Sequence, residues 1–491
     1  PRPEWLCLDF NCAMYYVLRK MRPLAEAPSK KIWETEFCDA IATYMTELIT
    51  LGNPTKGVYV SCDGAVCAAK RRQQRLRRFK GPWISALEAE VAGKPKVTES
   101  WDQNALTPGS AFMAQLGSVL KATGASLAKS TSLDVIVSTT EEAGEGEHKL
   151  LAHMRLVRPM TCTIYGLDAD LILLAMLLGA DTGAFSVRLL REAQEFERDS
   201  DGYKNLDVNA LTGAILPFVS PCRIRDFVAA MSLLGNDFLP RSLTHTVRDD
   251  GIPDLVNALE EHVWTAGYSV VGPDGFLSRV GLTALIRAWA ATEERDLVVT
   301  AIAARKASRR FAGLGATPEE TALKEWNAQP ARWATVCQIL DASDKGLSPS
   351  WATVYKGWHP GSPADYLQGL AWTWDYYSGR PVDQGWFFDE HLPPLWSDVA
   401  AALSASTEST IRAPPVVYAK PLPDWLHLLA VLPANSVATL LPVKAHILMA
   451  AHSHYWPTTW SIFDVGKGQM WECEPVIPVI PEVVLRRILA T

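Results

Sequence analysis

Two aspartates one residue apart, Asp168 and Asp170, interrupt residues 161–174, where a β-rich apolar run turns acidic and then apolar again. The pattern predicts a buried parallel strand feeding a helix through an acidic turn. One aspartate at such a turn reads most simply as a helix N-cap. A doublet repels itself, and a cation between its members relieves that repulsion. Other strand-like runs end the same way: residues 5–8 reach Asp9, residues 57–62 reach Asp63, and residues 133–137 lead towards Glu145 and Glu147. Asp237 follows an apolar helical stretch at 227–234. Seven carboxylates gathered in one place call for divalent metal. Oxygen-only ligands suit Mg2+ or Mn2+, and this many suit a two-ion site for in-line phosphoryl transfer.

Only a sheet brings such acids together. Residues 1 to about 250 alternate short strands with helical stretches, which predicts an α/β fold with a central, mostly parallel sheet covered on both faces. In an open parallel sheet the ligand crevice lies beyond the carboxyl ends of the strands, where these acids stand. Residues 25–50 read as an amphipathic crossover helix through Ile32, Phe37, Ile41, Met45 and Ile49. A turn and cap signal at 101–109 precedes a helix beginning near Ser110. Residues 252–295 look helical, and 301–342 are rich in Ala, Arg and Glu, with a second basic cluster at 305–310 read as a solvated face or connector. From about 346 the composition shifts to Trp, Tyr and Pro. The expected division is an acid-bearing core at 1–300, a helical connector at 301–345, and a Trp/Tyr-rich, largely helical region at 346–491 packed on the core.

With 491 residues and 48% hydrophobic content the chain can bury a large core. Its longest apolar run, 171–180, is too short to span a bilayer, and residues 1–5 lack the character of a signal peptide. Nine cysteines without a Cys-x-x-Cys pair argue against a disulfide framework or zinc site and favour a reducing compartment, the cytoplasm by default. The net charge of −7 argues against a polyanion partner, but the distribution says otherwise. Seven of the eleven residues at 70–80 are Lys or Arg. If this segment is helical, Lys70, Gln74, Arg77 and Arg78 share one face and can point at one small anion. Because the segment directly follows Asp63-Gly64, it begins beside the acidic crevice, and a pocket for a terminal phosphate is the better reading.

Asp63-Gly64 with residues 69–79 resembles the signature of the 5′-to-3′ exoribonuclease (Xrn) family. So, in matching order, do Thr107-Pro108-Gly109, residues 144–149, residues 165–170 and residues 235–240. The C-terminal part adds residues 366–372, Tyr376-Tyr377, Trp386 and Trp471-Glu472, so the resemblance spans nearly the whole chain. It implies a flap-nuclease-like (PIN) core and a metal-dependent exonuclease that releases nucleoside monophosphates from single-stranded RNA bearing a 5′-monophosphate. It also implies that Asp9, Asp63, Glu145 and Glu147 hold one ion, and that Asp168, Asp170 and Asp237, with Glu147 shared, hold the second. Lys70, Gln74, Arg77 and Arg78 would form the 5′-monophosphate pocket. Tyr15 would stack on the first base, where the family has a His. Trp372 and Trp471, in the motifs flanking the crevice, would stack on RNA or narrow its entrance.

The chain departs from the family in reaching Asp9 almost at once, in Cys67 and Ala143 where the family has Pro, and in lacking the long tail of the large members. A compact, divergent member, viral sources included, would look like this. Two other readings carry less weight. A flap-type DNA nuclease would follow its last aspartate with a Gly-rich hairpin, whereas Asp237 is followed by Phe-Leu-Pro-Arg. A silent structural or RNA-binding module would tolerate loss of a costly buried carboxylate, and all seven are kept.

Overall fold

Six short strands pair side by side into one sheet: β1 (Trp5–Asp9), β2 (Gly57–Ser61), β3 (Asp134–Ser138), β4 (Thr161–Tyr165), β5 (Ser186–Glu192) and β6 (Tyr203–Asp207). This computed structural model describes residues 2–93, 101–183, 186–193, 202–310, 315–333, 339–341, 343 and 345–490. The strand order is β3-β2-β1-β4-β5-β6, with the first five parallel and β6 antiparallel to β5. The chain steps outward from β1 to β3 and then returns to the other side of β1 for β4. That reversal opens a crevice at the carboxyl ends of β1 and β4.

Helices cover both faces, and the period of two along each strand decides which side chain meets which layer. Leu6, Leu8, Val58 and Val60 pack on one face against α2 (Lys30–Gly52) and α4 (Ala111–Ser130), through Phe37, Ile41, Met45, Leu116 and Leu120. Cys7, Tyr59 and Ile164 point to the other face, against α5 (Gly146–Val157), α6 (Asp170–Thr182) and α8 (Pro221–Met231). The remaining helices of this region are α1 (Asn11–Lys20), α3 (Ala68–Val91) and α7 (Val208–Ile215). Ser110 starts α4 by accepting the Met113 N–H at 3.1 Å, as its sequence signal predicts. Ile32 differs from the expected apolar face of α2. It lies 44% exposed in the first turn, and Trp33 takes the buried position instead.

The C-terminal region shares the sheet's core. Trp372, Trp374 and Tyr377, on the helix Pro363–Tyr377, belong to the same buried cluster as Ile164 and Leu171. Helix α3 bridges the two regions, since its Leu76 and Phe79 pack with Leu426, Leu429 and Trp456. The helix Glu293–Arg310 runs straight across position 300, where the composition suggested a boundary; parts of the expected connector, and the side chains of 308–310 in its basic cluster, lie outside the described residues. Among the described residues no helix is long and apolar enough to cross a membrane.

Candidate metal centre and phosphate pocket

Each sheet-borne acid leaves the sheet at the same edge. Asp9 ends β1, Asp63 follows β2, Glu145 and Glu147 open α5 beyond β3, and Asp168 and Asp170 join β4 to α6. Asp237 comes from the turn after the 3-10 segment Ser232–Leu234 that extends α8. All seven line one cavity of about 310 Å3. Neither member of the Asp168–Asp170 doublet acts as a helix cap: the cap position of α6 is Ala169, with no side-chain cap bond. Gly146 lets α5 close onto the sheet, because a Cβ there would sit 2.8 Å from Asp9 Oδ1; its N–H donates to Asp63 Oδ1 at 2.7 Å.

Burial is the first cause that raises the proton affinity of these acids, and their mutual repulsion adds to it. Asp9 lies well above the usual carboxylate range, with Asp63 and Asp168 repelling it. Glu147 is likewise well above, next to Glu145 and Asp170. Asp63 and Asp168 are raised too, and Asp170 is pushed up to about 6, with Asp237 the first of its repelling neighbours. Lys70 offsets part of the charge, pairing with Glu145 and Asp237 at 2.6 Å each.

The donor set fits divalent metal. Glu147 Oε2 is buried without a hydrogen-bond partner, and Glu145, Glu147 and His148 present ligand atoms within 4.8 Å of one another. Burial holds His148 down to about 3, so its imidazole is neutral at physiological pH. Buried carboxylates in excess of nearby cations are stabilised by a hard, oxygen-seeking ion.

The basic segment splits its charges between two tasks. Gln74, Arg77 and Arg78 line the same cavity as the acids, as does Tyr15 from α1. Gln74 Oε1 and two guanidinium nitrogens of Arg78 are buried without partners, and burial lowers Arg78 to about 10. Lys70 lines the cavity as well, but its ammonium is engaged by carboxylates, which corrects the expectation of one uniform anion-facing set. Arg71 and Arg75 are buried in the C-terminal region, against the Glu482 carboxylate and the backbone carbonyls of Ala430 and Tyr455.

The two tryptophans differ. Trp372 is completely buried, stacked on Tyr376 and Trp386 with its indole N–H donating to the Asp383 carbonyl at 3.0 Å. Its faces are occupied, so it is a packing residue, and the expectation that it stacks on RNA is corrected. Trp471 is 49% exposed and lies beneath the Arg248 guanidinium. Sequence reasoning missed what Trp372 supports: the Tyr376 hydroxyl donates to Glu145 Oε1 at 2.7 Å and the Tyr377 hydroxyl to Asp170 Oδ2 at 3.3 Å. The paired tyrosines were visible in a C-terminal motif, but nothing local tied them to acids more than two hundred residues earlier.

An acidic cleft thus lies at the switch point of a parallel sheet and is walled by a basic helix. Residues 2–193 match the family model described as XRN 5′-3′ exonuclease N-terminus. Over these residues the chain is similar to that family. The chain is 32% identical over 314 residues to 5′-3′ exoribonuclease 2 of Candida albicans, covering 51% of this chain and 31% of the relative. To 5′-3′ exoribonuclease 1 of Saccharomyces cerevisiae it is 29% identical over 295 residues, covering 52% and 18% respectively. The match thus spans less than a third of either relative's length. Among solved structures, the T5 D15 protein co-crystallised with metal ions aligns at 13% identity and a TM-score of 0.28, over 65% of this chain and 97% of that one. The catalytic core of Rad2 in complex with DNA substrate aligns at 13% identity and 0.32, over 82% and 86%.

Proposed function

We propose that the protein is a divalent-metal-dependent 5′-to-3′ exoribonuclease that removes nucleoside monophosphates from single-stranded, 5′-monophosphorylated RNA. The observation that carries this reading is the convergence of seven carboxylates and the Gln74–Arg77–Arg78 group on one cavity. Asp9, Asp63, Glu145 and Glu147 would hold one Mg2+ or Mn2+ ion, and Asp168, Asp170 and Asp237, sharing Glu147, the other. Ions in such a set lower the pKa of an attacking water and stabilise the leaving 3′-oxygen.

The chain's own groups do the rest. Arg78, whose buried guanidinium nitrogens lack partners, binds the terminal phosphate with Arg77 through charge-assisted hydrogen bonds, and the Gln74 amide N–H adds a neutral donor. Tyr15 offers a ring to the first base. Tyr376 and Tyr377 orient the Glu145 and Asp170 carboxylates. Lys70 balances Glu145 and Asp237.

Digestion of 5′-labelled, 5′-monophosphorylated RNA in Mg2+ tests the reading. The label should leave as nucleoside monophosphate from the first time points, and more slowly from 5′-hydroxyl or 5′-triphosphate RNA. Label appearing first in longer fragments, or intact RNA, refutes it.

A further inference from the structure

We propose that His427, in the C-terminal region, is a positioning residue of the phosphate pocket: from behind α3 its imidazole N–H holds Gln74 Oε1 inward and so turns the amide N–H groups towards a bound 5′-phosphate. The inference rests on the exoribonuclease reading. Gln74 and Arg78 line the acidic cavity, whereas His427 is wholly buried behind it. His427 belongs to the helix Asp424–Val431, which packs on α3 through Leu426 and Leu429 with Leu76 and Phe79. Two further contacts fix that helix. Arg75 donates to the Ala430 carbonyl, one turn beyond His427, at 2.7 Å. The turn at Gly109, where φ is +90°, closes on the first residue of the helix so tightly that a Cβ would sit 2.5 Å from the Asp424 carbonyl oxygen.

The face of α3 that meets this helix carries Arg71, Gln74, Arg75 and Arg78, neighbours at i+3 and i+4. Arg71 to Arg78 spans about 10 Å of helix. Burial first, and then the guanidiniums of Arg71 and Arg78, hold the His427 imidazole well below its usual range. A ring that senses both ends of this face lies against its middle, beside Gln74 and Arg75, and is neutral at physiological pH. Both of its nitrogens are buried without partners. On the facing surface the unpartnered buried atoms are one acceptor, Gln74 Oε1, and guanidinium N–H groups of Arg71, Arg75 and Arg78. A neutral imidazole carries one N–H and one lone pair, which matches that set. Where the direct distance is too long, a buried water bridges it. A protonated ring could serve the acceptor but not the guanidiniums.

The consequence falls on recognition. A side-chain amide can present either end to a cavity, and its oxygen would repel phosphate. With an N–H behind Gln74, the oxygen-inward orientation pairs both groups, and the reverse leaves two donors facing each other in the interior, which is costly. The C-terminal region thereby selects the orientation of Gln74 in which the pocket presents donors only.

The test measures the ratio of kcat/KM on 5′-monophosphate and 5′-hydroxyl RNA in the wild type, His427→Leu, His427→Gln, Gln74→Ala and the double variant of His427→Leu with Gln74→Ala, with thermal melts confirming the fold. His427→Leu should lose about tenfold of the preference for the phosphate, as a rise in KM rather than a fall in kcat. His427→Gln keeps a donor and an acceptor and should keep the preference. The double variant should lose no more than Gln74→Ala alone, because both changes remove the same interaction. An unaltered ratio in His427→Leu, an equal loss in His427→Gln, or additive losses in the double variant overturn the proposal. If His427→Leu fails to fold, His427→Phe takes its place in the same cycle. Should the wild type release no mononucleotide, the exoribonuclease reading fails by itself, and binding of 5′-phosphorylated against 5′-hydroxyl hexanucleotide in Ca2+ still reports on His427.

Discussion

The sheet and the C-terminal helices contribute to one cleft under opposite physical rules. The sheet places its acids at strand ends, where topology alone makes them meet, and the cost is repulsion: Asp170 is pushed up to about 6. The C-terminal region works through packing and compensation. Trp372 is wholly buried under Tyr376, whose hydroxyl reaches Glu145. Glu474, which burial alone would raise, is held well below the usual range by His391 and Lys467. One region concentrates uncompensated charge, and the other holds it in place.

The largest effect expected from breaking this division is loss of turnover in Asp170→Asn. Removing a ligand from a metal credited with several kcal/mol of transition-state stabilisation should slow release about a thousandfold or more. The fold should hold, or gain stability, as repulsion is relieved. Near wild-type rates at saturating Mg2+ would remove Asp170 from the metal site.

On the packing side, Trp372→Ala should destabilise the protein by about 3–5 kcal/mol, seen as a lowered midpoint in urea, with activity lost in proportion to unfolded protein. Trp471→Ala should barely move that midpoint, because half of the ring already faces solvent. Equal destabilisation by both would erase the distinction between the rings.

Arg78→Ala should cost about ten- to hundredfold in preference for a 5′-monophosphate over a 5′-hydroxyl, measured as a ratio of kcat/KM values. An unaltered ratio would leave Arg78 with no part in recognising the end.

The smallest effect is the sign of the pH response, followed by thermal melts in EDTA. Asp170 keeps its proton in the folded chain up to about 6 but loses it near 3.8 when unfolded, so its contribution to stability falls as pH rises between those values. Glu474 has the opposite sense: its contribution is complete above 4.5 and is lost as pH drops through its depressed folded value. Asp170→Asn should therefore flatten the fall in stability between pH 3.8 and about 6, and Glu474→Gln the loss below pH 4.5. Exchanged effects would reverse the comparison.

Sequence revealed the first region far better than the second. Strand runs ending in Asp9, Asp63 and the Asp168–Asp170 doublet carry their own geometry, because parallel strands have one ligand edge. The helical row of Gln74, Arg77 and Arg78 is equally local. Trp372 was misjudged because a tryptophan in a motif reads the same whether its faces meet other rings or a channel, and only tertiary contacts distinguish them. Arg71 and Arg75 lie among surface-like neighbours in sequence, yet they are spent on a buried carboxylate and on backbone carbonyls of distant segments. Tyr376 meets its acid across a separation of 231 residues, beyond any periodicity.

The central claim, that the sheet-borne acids form a two-ion centre, is tested most directly by calorimetric titration of Mn2+ into the metal-free protein. The account predicts two ions bound per chain in the wild type and a single remaining ion in Asp170→Asn, with Arg78→Ala like the wild type. No saturable binding, or the same stoichiometry in wild type and Asp170→Asn, would contradict it.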